Sequence, residues 1–381
     1  MTVLENELPV ARCKPATIYL NSSGIATLTV ADVNDGSNDN CTSQANLVIT
    51  LSKTLFNCTN KGANTVVMSV KDASGNISTC NATVTVVDDT PPVIAATSGT
   101  VTSNVNTAAG VCYYPVNGSE FDPAVTDNCP GTVLSYTVTG ATTLSGTGSL
   151  AGKQLLKGAN VITWTAIDAA GNPAAAALTF TKTVVDNQAP TISAKSNQNR
   201  TTDTGCGYTT VGTEFDVTVA DNCGVTLQTY AINGGTPVTA TTMAGAVLPA
   251  GTNSVEWSAG DGTNTNHRTF QVIVTDDDAP TITPISNISA TVAPGQCSAV
   301  VTWTTPVASD NCGVTSFSQI SGPVSGSTFS VGTATVTYRA SDAAGNVTSM
   351  SFTVTVSDPT PPVITCPEGS TAISPFVRNA D

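Results

Sequence analysis

One phrase recurs along this chain, and a recurring phrase restricts the fold more than any single motif does. Alternating apolar residues lead to an acidic residue, a few small residues and an asparagine, as in ITWTAIDAAGN and VTYRASDAAGN. Similarity of this kind at a regular spacing indicates a tandem array of one structural unit. The copies of the phrase end at Asn76, Asn172, Asn264 and Asn346.

Two further markers keep the same order around each copy. The tripeptide DNC ends at Cys41, Cys129, Cys223 and Cys312, and an acidic residue precedes a proline by four positions in each linker. These linker pairs are Glu5/Pro9, Asp88/Pro92, Asp186/Pro190, Asp276/Pro280 and Asp358/Pro362. The markers predict repeat 1 at residues 1–88, repeat 2 at 89–186, repeat 3 at 187–276, repeat 4 at 277–358 and the start of a truncated repeat 5 at 359–381. We therefore expect the chain to be an excerpt of a longer protein.

Within each repeat the apolar residues alternate with polar ones, which predicts strands with one buried face. Two such strands flank each Gly-Asn loop and predict an antiparallel hairpin. The sequence shows no helical periodicity. We predict an all-β protein of tandem Ig-like β-sandwich domains arranged as an elongated rod, since the linkers are short.

A bulky residue stands four positions before the acid of each phrase, at Met68, Trp164, Trp257 and Tyr338. A core position is the favoured interpretation, and a sugar-stacking platform is the alternative. Tyr113, Tyr114, Tyr208 and Tyr230 are the only other hint of a sugar-binding surface.

Charge and composition exclude several function classes. The net charge is −14 with 13 Lys and Arg in 381 residues, so nucleic-acid binding is not expected. No apolar run is long enough for membrane insertion in this segment. The single histidine, His267, lies in a polar stretch, and the acids recur with the repeat instead of converging once. We therefore predict that the chain is not an enzyme and binds no zinc.

The array resembles hyalin repeats, the Ig-like HYR modules of echinoderm hyalin and of long bacterial surface proteins. The matching residues are PPVI and APTI at the start, DNC in the middle and D-x-x-G-N before the last strand. The Thr/Val-rich composition of the strands is most similar to that of giant adhesins of gliding Bacteroidetes. The resemblance implies a secreted or cell-surface location and a stalk or spacer of an adhesin or filament, in adhesion or gliding motility. The alternative is a module that binds carbohydrate or protein, rigidified by calcium.

The implied partners are neighbouring repeats of the same chain, a surface polysaccharide or other cells. The cysteines also indicate an oxidising compartment. Repeats 2, 3 and 4 each hold two cysteines, which predicts the pairs Cys112–Cys129, Cys206–Cys223 and Cys297–Cys312.

Repeat 1 has four cysteines and leaves alternatives open. Cys13 and Cys80 are both replaced in the other repeats, which favours Cys13–Cys80 and leaves Cys41–Cys58. The other connectivity is Cys13–Cys41 with Cys58–Cys80. Cys366 matches the position of Cys13, and its partner would lie beyond residue 381.

The linker acids and the D-x-x-G-N acids predict candidate Ca²⁺ sites at the domain junctions. The last strand of one repeat ends at the linker acid, which therefore lies at the C-terminal end of its domain. We expect the hairpin loop of the next repeat to lie at the same junction. The predicted ligands are Asp88 and Asp89 with Asp168, Asp186 with Asp261, and Asp276, Asp277 and Asp278 with Asp342. The DNC aspartates Asp127, Asp221 and Asp310 are possible contributors whose end of the domain is left open. The competing interpretation is that these aspartates only form turns.

Overall fold

The computed structural model of the protein describes residues 5–363, so the predicted position of Cys366 lies outside the described residues. Strands dominate the described chain, as the alternation predicts. Its helices are one α-helix, α1 (Val30–Val33), and single 3-10 turns at Gln44–Asn46, Cys58–Asn60 and Ser98–Thr100.

The strands follow one plan in successive repeats. Repeat 1 contains β1 (Ala16–Tyr19), β2 (Ile25–Thr27), β3 (Val48–Leu51), β4 (Leu55–Asn57), β5 (Gly62–Lys71) and β6 (Ile77–Val87). Repeat 2 contains β7 (Val93–Ala95), β8 (Ser103–Asn106), β9 (Tyr113–Pro115), β10 (Ala124–Thr126), β11 (Val133–Gly140), β12 (Leu144–Thr147), β13 (Gln154–Leu156), β14 (Gly158–Ile167) and β15 (Leu178–Val185).

Repeat 3 contains β16 (Thr191–Ile192), β17 (Gln198–Thr201), β18 (Gly207–Thr209), β19 (Val219–Ala220), β20 (Leu227–Ile232), β21 (Val238–Thr239), β22 (Val247–Pro249), β23 (Gly251–Gly260) and β24 (Thr265–Thr275). Repeat 4 contains β25 (Thr281–Ile282), β26 (Ile288–Thr291), β27 (Ser298–Val300), β28 (Ala308–Ser309), β29 (Val314–Ser321), β30 (Thr328–Ser330), β31 (Gly332–Asp342) and β32 (Val347–Ser357).

Each D-x-x-G-N phrase forms the loop of a long hairpin. The pairs β5–β6, β14–β15 and β31–β32 are antiparallel, as the turn residues predict. The first strand of the larger sheet then pairs in parallel with the last, for example β1 with β6 and β26 with β32. Repeat 1 has the sheet order β1-β6-β5-β3, and repeat 4 has the equivalent order β26-β32-β31-β29. A two-stranded ladder, β2-β4 or β27-β30, faces each larger sheet.

The core of each repeat lies between these two layers. In repeat 1, Phe56 from the small ladder packs in one cluster with Val66, Met68 and Val84 from the larger sheet. The bulky residue of each phrase is buried, with exposed fractions of 0%, 0%, 0% and 5% for Met68, Trp164, Trp257 and Tyr338, so the core interpretation is confirmed. The domains are Ig-like β-sandwiches built from alternating strands.

The described chain divides into two compact units. The first contains the residues up to Pro190 together with Ala220–Thr226 and Gly260–Thr265, and the second contains Thr191–Val219, Leu227–Ala259 and the residues from Asn266 onward. The two short segments in the first unit are the DNC loop of repeat 3 and its hairpin loop, where DGTN (residues 261–264) replaces D-x-x-G-N. These loops therefore group with the end of repeat 2.

Candidate metal centre and the links between repeats

The acid of each D-x-x-G-N loop is fixed by the loop itself. Asp342 Oδ1 accepts hydrogen bonds from the backbone N–H groups of Gly345 at 2.7 Å and Asn346 at 2.8 Å. Its Oδ2 accepts the Asn346 side-chain amide at 2.9 Å. Gly345 has φ +94°, a backbone conformation that favours glycine, so the small residues of the phrase serve this turn. The equivalent aspartates are Asp72, Asp168 and Asp261.

The asparagine that ends the phrase also holds the linker. Asn346 Nδ2 donates to the carbonyl of Asp276 at 3.0 Å, and Asn172 Nδ2 donates to the carbonyl of Asp88 at 2.9 Å. Asn264 makes the same contact with the carbonyl of Asp186 at 3.1 Å. One side chain thus ties the hairpin loop of a repeat to the last residue of the repeat before it.

The DNC loop turns a second carboxylate toward the same place. Asp310 Oδ1 accepts the backbone N–H of Cys312 at 2.8 Å, whereas Asp310 Oδ2 is buried and has no hydrogen-bond partner. Asp127 and Asp221 repeat this arrangement with Cys129 and Cys223. Each DNC aspartate therefore uses one oxygen for the turn and keeps the other available.

The linker acid is the third member of each group. Asp88, Asp186 and Asp276 are 5%, 1% and 7% exposed. Ligand oxygens of three acids lie within 4.8 Å of one another in every group. We name the groups the Asp72 cluster (Glu5, Asp39, Asp72), the Asp168 cluster (Asp88, Asp127, Asp168), the Asp261 cluster (Asp186, Asp221, Asp261) and the Asp342 cluster (Asp276, Asp310, Asp342).

Three of the linker acids meet the loop acids that the sequence assigns to them. Asp89, Asp277 and Asp278 are exposed and lie outside the clusters, so their assignment as ligands differs from the structure. Asp89 and Asp277 directly follow a linker acid, and neighbouring residues of an extended segment point to opposite sides. Asp278 Oδ2 instead accepts the side-chain amide of Asn311 at 3.0 Å. The DNC aspartates, whose position the sequence leaves open, lie inside.

Hydrogen bonds keep the loop acids ionised. Burial alone raises the pKa of Asp342, but the Asn346 side chain and the backbone amides of Asn346 and Gly345 outweigh it. The pKa of this carboxyl therefore lies below its usual value. The same causes lower the pKa of Asp72, Asp168 and Asp261.

A lysine stands beside two of the clusters. Lys61 Nζ lies 3.5 Å from Asp88 Oδ2, and Lys157 Nζ lies 3.3 Å from Asp186 Oδ2. Both lysines directly precede the glycine that begins the long strand of the hairpin. Ala250 occupies this position in repeat 3, so Asp276 has no lysine partner there.

Disulfides connect each repeat to the next. Cys13 pairs with Cys80, as the sequence predicts, with their Cα atoms 5.8 Å apart. The other bonds join successive repeats: Cys58–Cys129, Cys112–Cys223 and Cys206–Cys312. The predicted pairs Cys112–Cys129, Cys206–Cys223, Cys297–Cys312 and Cys41–Cys58 are wrong.

The error has a geometric reason, which repeat 2 illustrates. Cys112 accepts a backbone hydrogen bond from Lys157, whose Nζ contacts the linker acid Asp186, so Cys112 lies at the C-terminal end of its repeat. Cys129 follows Asp127 in the Asp168 cluster, at the opposite end. The two cysteines of one repeat are thus separated by the length of the sandwich. Each faces a cysteine of a neighbouring repeat.

Repeat 1 supplies its linking cysteine from a different strand. The ladder pairs Ile25 with Asn57, as it pairs Tyr113 with Leu156 in repeat 2, so Gly24 stands where Cys112 stands. Cys58 belongs to the 3-10 turn after β4, on the other strand of the β2-β4 ladder, and it forms the disulfide with Cys129. A Cβ on Gly24 would lie 2.7 Å from Cys58 Sγ, so glycine leaves the room for this disulfide.

Cys41 and Cys297 are exposed and unpaired in the structure, so their predicted bonds are absent. Cys41 ends the DNC of repeat 1, the position of Cys129. Cys297 precedes β27 as Cys112 precedes β9. Their positions are equivalent to the two positions that form the disulfides between repeats.

His267 does not form a hydrolytic site. Its Nδ1 lies 2.8 Å from Ser258 Oγ and 3.5 Å from Glu256 Oε1. A catalytic triad requires the nucleophile and the acid on opposite ring nitrogens. Both groups meet the same nitrogen here, on an exposed strand surface.

The comparisons with known proteins agree with this architecture. Residues 275–356 match the family model described as HYR domain. These findings support HYR modules as the repeats of this chain. The chain is 31% identical to hyalin of Lytechinus variegatus and 33% identical to hyalin of Strongylocentrotus purpuratus, each over 80% of its length. It spans 54% of the first relative and 24% of the second, and neither match supports a bacterial origin.

Solved cadherin ectodomains are more distant. A protocadherin GammaB4 extracellular domain has 15% identity and a TM-score of 0.31, covering 92% of this chain and 66% of that one. Protocadherin Gamma B7 domains 1–4 have 14% identity and a TM-score of 0.32, covering 90% and 100%. Scores this low carry no argument about function or about the arrangement of domains.

The hyalin relatives place the chain outside the cell or at the cell surface, and disulfides are usual there. Among residues 5–363, no helix has the length and apolar character that crossing a membrane requires.

Proposed function

We propose that this chain is a non-enzymatic spacer segment of an extracellular adhesion protein, in which consecutive HYR repeats are locked together covalently. The observation that carries the proposal is the set of disulfides between successive repeats. Each of Cys58–Cys129, Cys112–Cys223 and Cys206–Cys312 adds a second covalent connection beside the linker peptide. A segment that only had to display a binding surface would gain little from such links.

The overlap of these bonds supports a role in bearing tension. The interval closed by Cys58–Cys129 overlaps the interval closed by Cys112–Cys223, which overlaps that of Cys206–Cys312. Force between the ends therefore passes through disulfides, and most of the chain is removed from the load path. Each repeat would stay connected to its neighbours even after it unfolds.

The main alternative is an adhesion module that binds carbohydrate or protein. Three of the four tyrosines that suggest it pack against the cores of their repeats: Tyr114, Tyr208 and Tyr230. Tyr114 Oη donates to Glu120 at 2.9 Å, and Tyr208 Oη donates to Glu214 at 2.7 Å. Tyr230 packs against Trp257 with ring centroids 5.5 Å apart. These contacts favour the spacer over a sugar-stacking surface.

Two measurements test the proposal. Small-angle scattering of the oxidised protein should give an elongated particle, and a compact globule of the same mass would contradict the spacer. A glycan array should show no binding above background, whereas saturable binding to one glycan class would favour the alternative. The resemblance to adhesins of gliding bacteria remains a prediction that only the source of the chain can test.

The unpaired cysteines extend the same proposal to neighbouring repeats. We expect Cys41 to accept a cysteine in the position of Cys112, and Cys297 to accept a DNC cysteine. The test mixes two variants in a glutathione redox buffer: Cys41→Ser, which retains Cys297, and Cys297→Ser, which retains Cys41. With Cys366→Ser added to both, the two variants mixed should form a disulfide-linked dimer that neither forms alone. Equal dimerisation of each variant alone would show that these are ordinary exposed thiols.

A further inference from the structure

The Asp342 cluster presents buried oxygens without partners. Asp276 is 7% exposed, and its Oδ2 has no hydrogen-bond partner within the described structure. Asp310 Oδ2 and Asn311 Oδ1 are likewise buried without a partner. Ligand oxygens of the three acids, Asp342 included, lie within 4.8 Å of one another. Asn311 directly follows Asp310 in the DNC loop.

Such an arrangement is costly without a cation. Burying an ionised carboxylate without compensation is strongly unfavourable, and like charges within a few ångströms of one another add repulsion. A turn-forming role accounts for Asp310 Oδ1 and for both oxygens of Asp342. It does not account for Asp276 Oδ2 or Asp310 Oδ2, which face no donor.

The ligand type selects the cation. Every candidate ligand is a carboxylate or amide oxygen, and Cys312 nearby is consumed in a disulfide. Hard oxygen donors in irregular geometry suit Ca²⁺, whereas zinc prefers imidazole and thiolate. A surface pocket of about 330 Å³ is bordered by Asp278, Asp310 and Asn311, so an ion and its waters can reach the cluster from solvent.

The related clusters supply an internal comparison. Lys61 stands beside Asp88 and Lys157 beside Asp186, at 3.5 and 3.3 Å. A lysine ammonium offsets part of the negative charge and competes with a bound cation. Ala250 replaces this lysine next to Asp276. The Asp342 cluster is therefore less neutralised than the Asp168 and Asp261 clusters.

We propose that Asp276, Asp310 and Asp342, with the side-chain oxygen of Asn311, bind a calcium ion, and that Lys157 weakens the equivalent site at Asp186. The ion binds the linker acid of repeat 3 and both N-terminal loops of repeat 4. It therefore stabilises the same contact that Cys206–Cys312 and the Asn346 amide hold. This inference does not depend on the spacer function.

The test is calorimetric titration of Ca²⁺ into the chelator-treated full chain. The tightest binding step should weaken at least tenfold in Asp310→Asn and remain in the matched control Asp127→Asn, which alters the Asp168 cluster. Loss of the tightest step in Asp127→Asn with retention in Asp310→Asn would overturn the assignment. Absence of binding heat, together with a melting temperature that does not respond to Ca²⁺, would overturn the proposal as a whole.

Two lysine exchanges test the charge argument without removing a ligand. Ala250→Lys should weaken the tightest step about tenfold, and Lys157→Ala should strengthen a second, weaker step. Circular dichroism in chelator shows whether each variant folds, and melting shifts on Ca²⁺ addition give a second readout. If neither exchange changes any affinity, the role of lysine as a competitor is wrong. If Mg²⁺ or Zn²⁺ binds more tightly than Ca²⁺, the assignment of the ion is wrong.

Discussion

Breaking one inter-repeat disulfide should lengthen the stretched, unfolded chain by an amount that the connectivity sets. In the oxidised protein, the shortest covalent path from Cys13 to Cys312 runs only through residues 80–112 and 206–223. That path is about 50 residues, or roughly 170 Å at ~3.4 Å per residue. Complete reduction should release the whole interval, about 300 residues or roughly 1,000 Å.

The variant Cys112→Ser/Cys223→Ser removes one link from this path. The shortest route then passes through residues 58–80 and 129–206, about 100 residues or roughly 340 Å. Single-molecule force spectroscopy of the chain between handles at its two ends measures this length directly. Cys41→Ser/Cys297→Ser is the matched control, because neither cysteine is paired in the structure and the extension should not change.

The alternative connectivity gives a different length. Pairs within each repeat would leave residues 80–112, 129–206 and 223–297 in the load path, about 180 residues or roughly 620 Å. An oxidised extension of that size would refute the inter-repeat links. Non-reducing peptide mapping provides an independent check, since cleavage at Asp122 and Asp127 separates Cys112 from Cys129.

Two further predictions concern single side chains. Trp257→Phe should cost about 1–3 kcal/mol more than Trp164→Phe in denaturant unfolding, because it strips the buried Phe215 carbonyl of its 3.0 Å indole donor. The Trp164 indole N–H has no partner in the described structure, and equal losses would contradict this reasoning. Glu214→Gln should cost about 1 kcal/mol at neutral pH through its partly buried pair with Arg200. Burial raises the Glu214 pKa, but hydrogen bonds hold it below the usual 4.5. This stabilisation is therefore present above pH 4.5 and is lost as the pH falls through the lowered pKa. A pH-independent difference between the two proteins would argue against it.

Local patterns along the chain determine the repeat unit and much of the candidate site. The alternation before Asp72 and Asp342 fixes which residues face the core, because successive side chains of a strand point to opposite faces. The Gly-Asn phrase determines the hairpin that follows. The sequence predicts that Asp276 and Asp342 meet. The last strand of repeat 3 leads directly into Asp276, and the hairpin loop that contains Asp342 lies at the adjoining end of repeat 4. Cys13–Cys80 followed from the joint replacement of both cysteines in the other repeats.

The tertiary structure alone decided which cysteines meet and where the DNC loops lie. Cysteine content per repeat favours bonds within a repeat, yet Cys112 and Cys129 stand at opposite ends of one sandwich. No local pattern records that separation, because it depends on how the strands between the two cysteines cross from sheet to sheet. The unpartnered oxygens of Asp276 and Asp310 are equally invisible in sequence. Burial and hydrogen-bond satisfaction are properties of the packed junction, which exists only when one repeat meets the next.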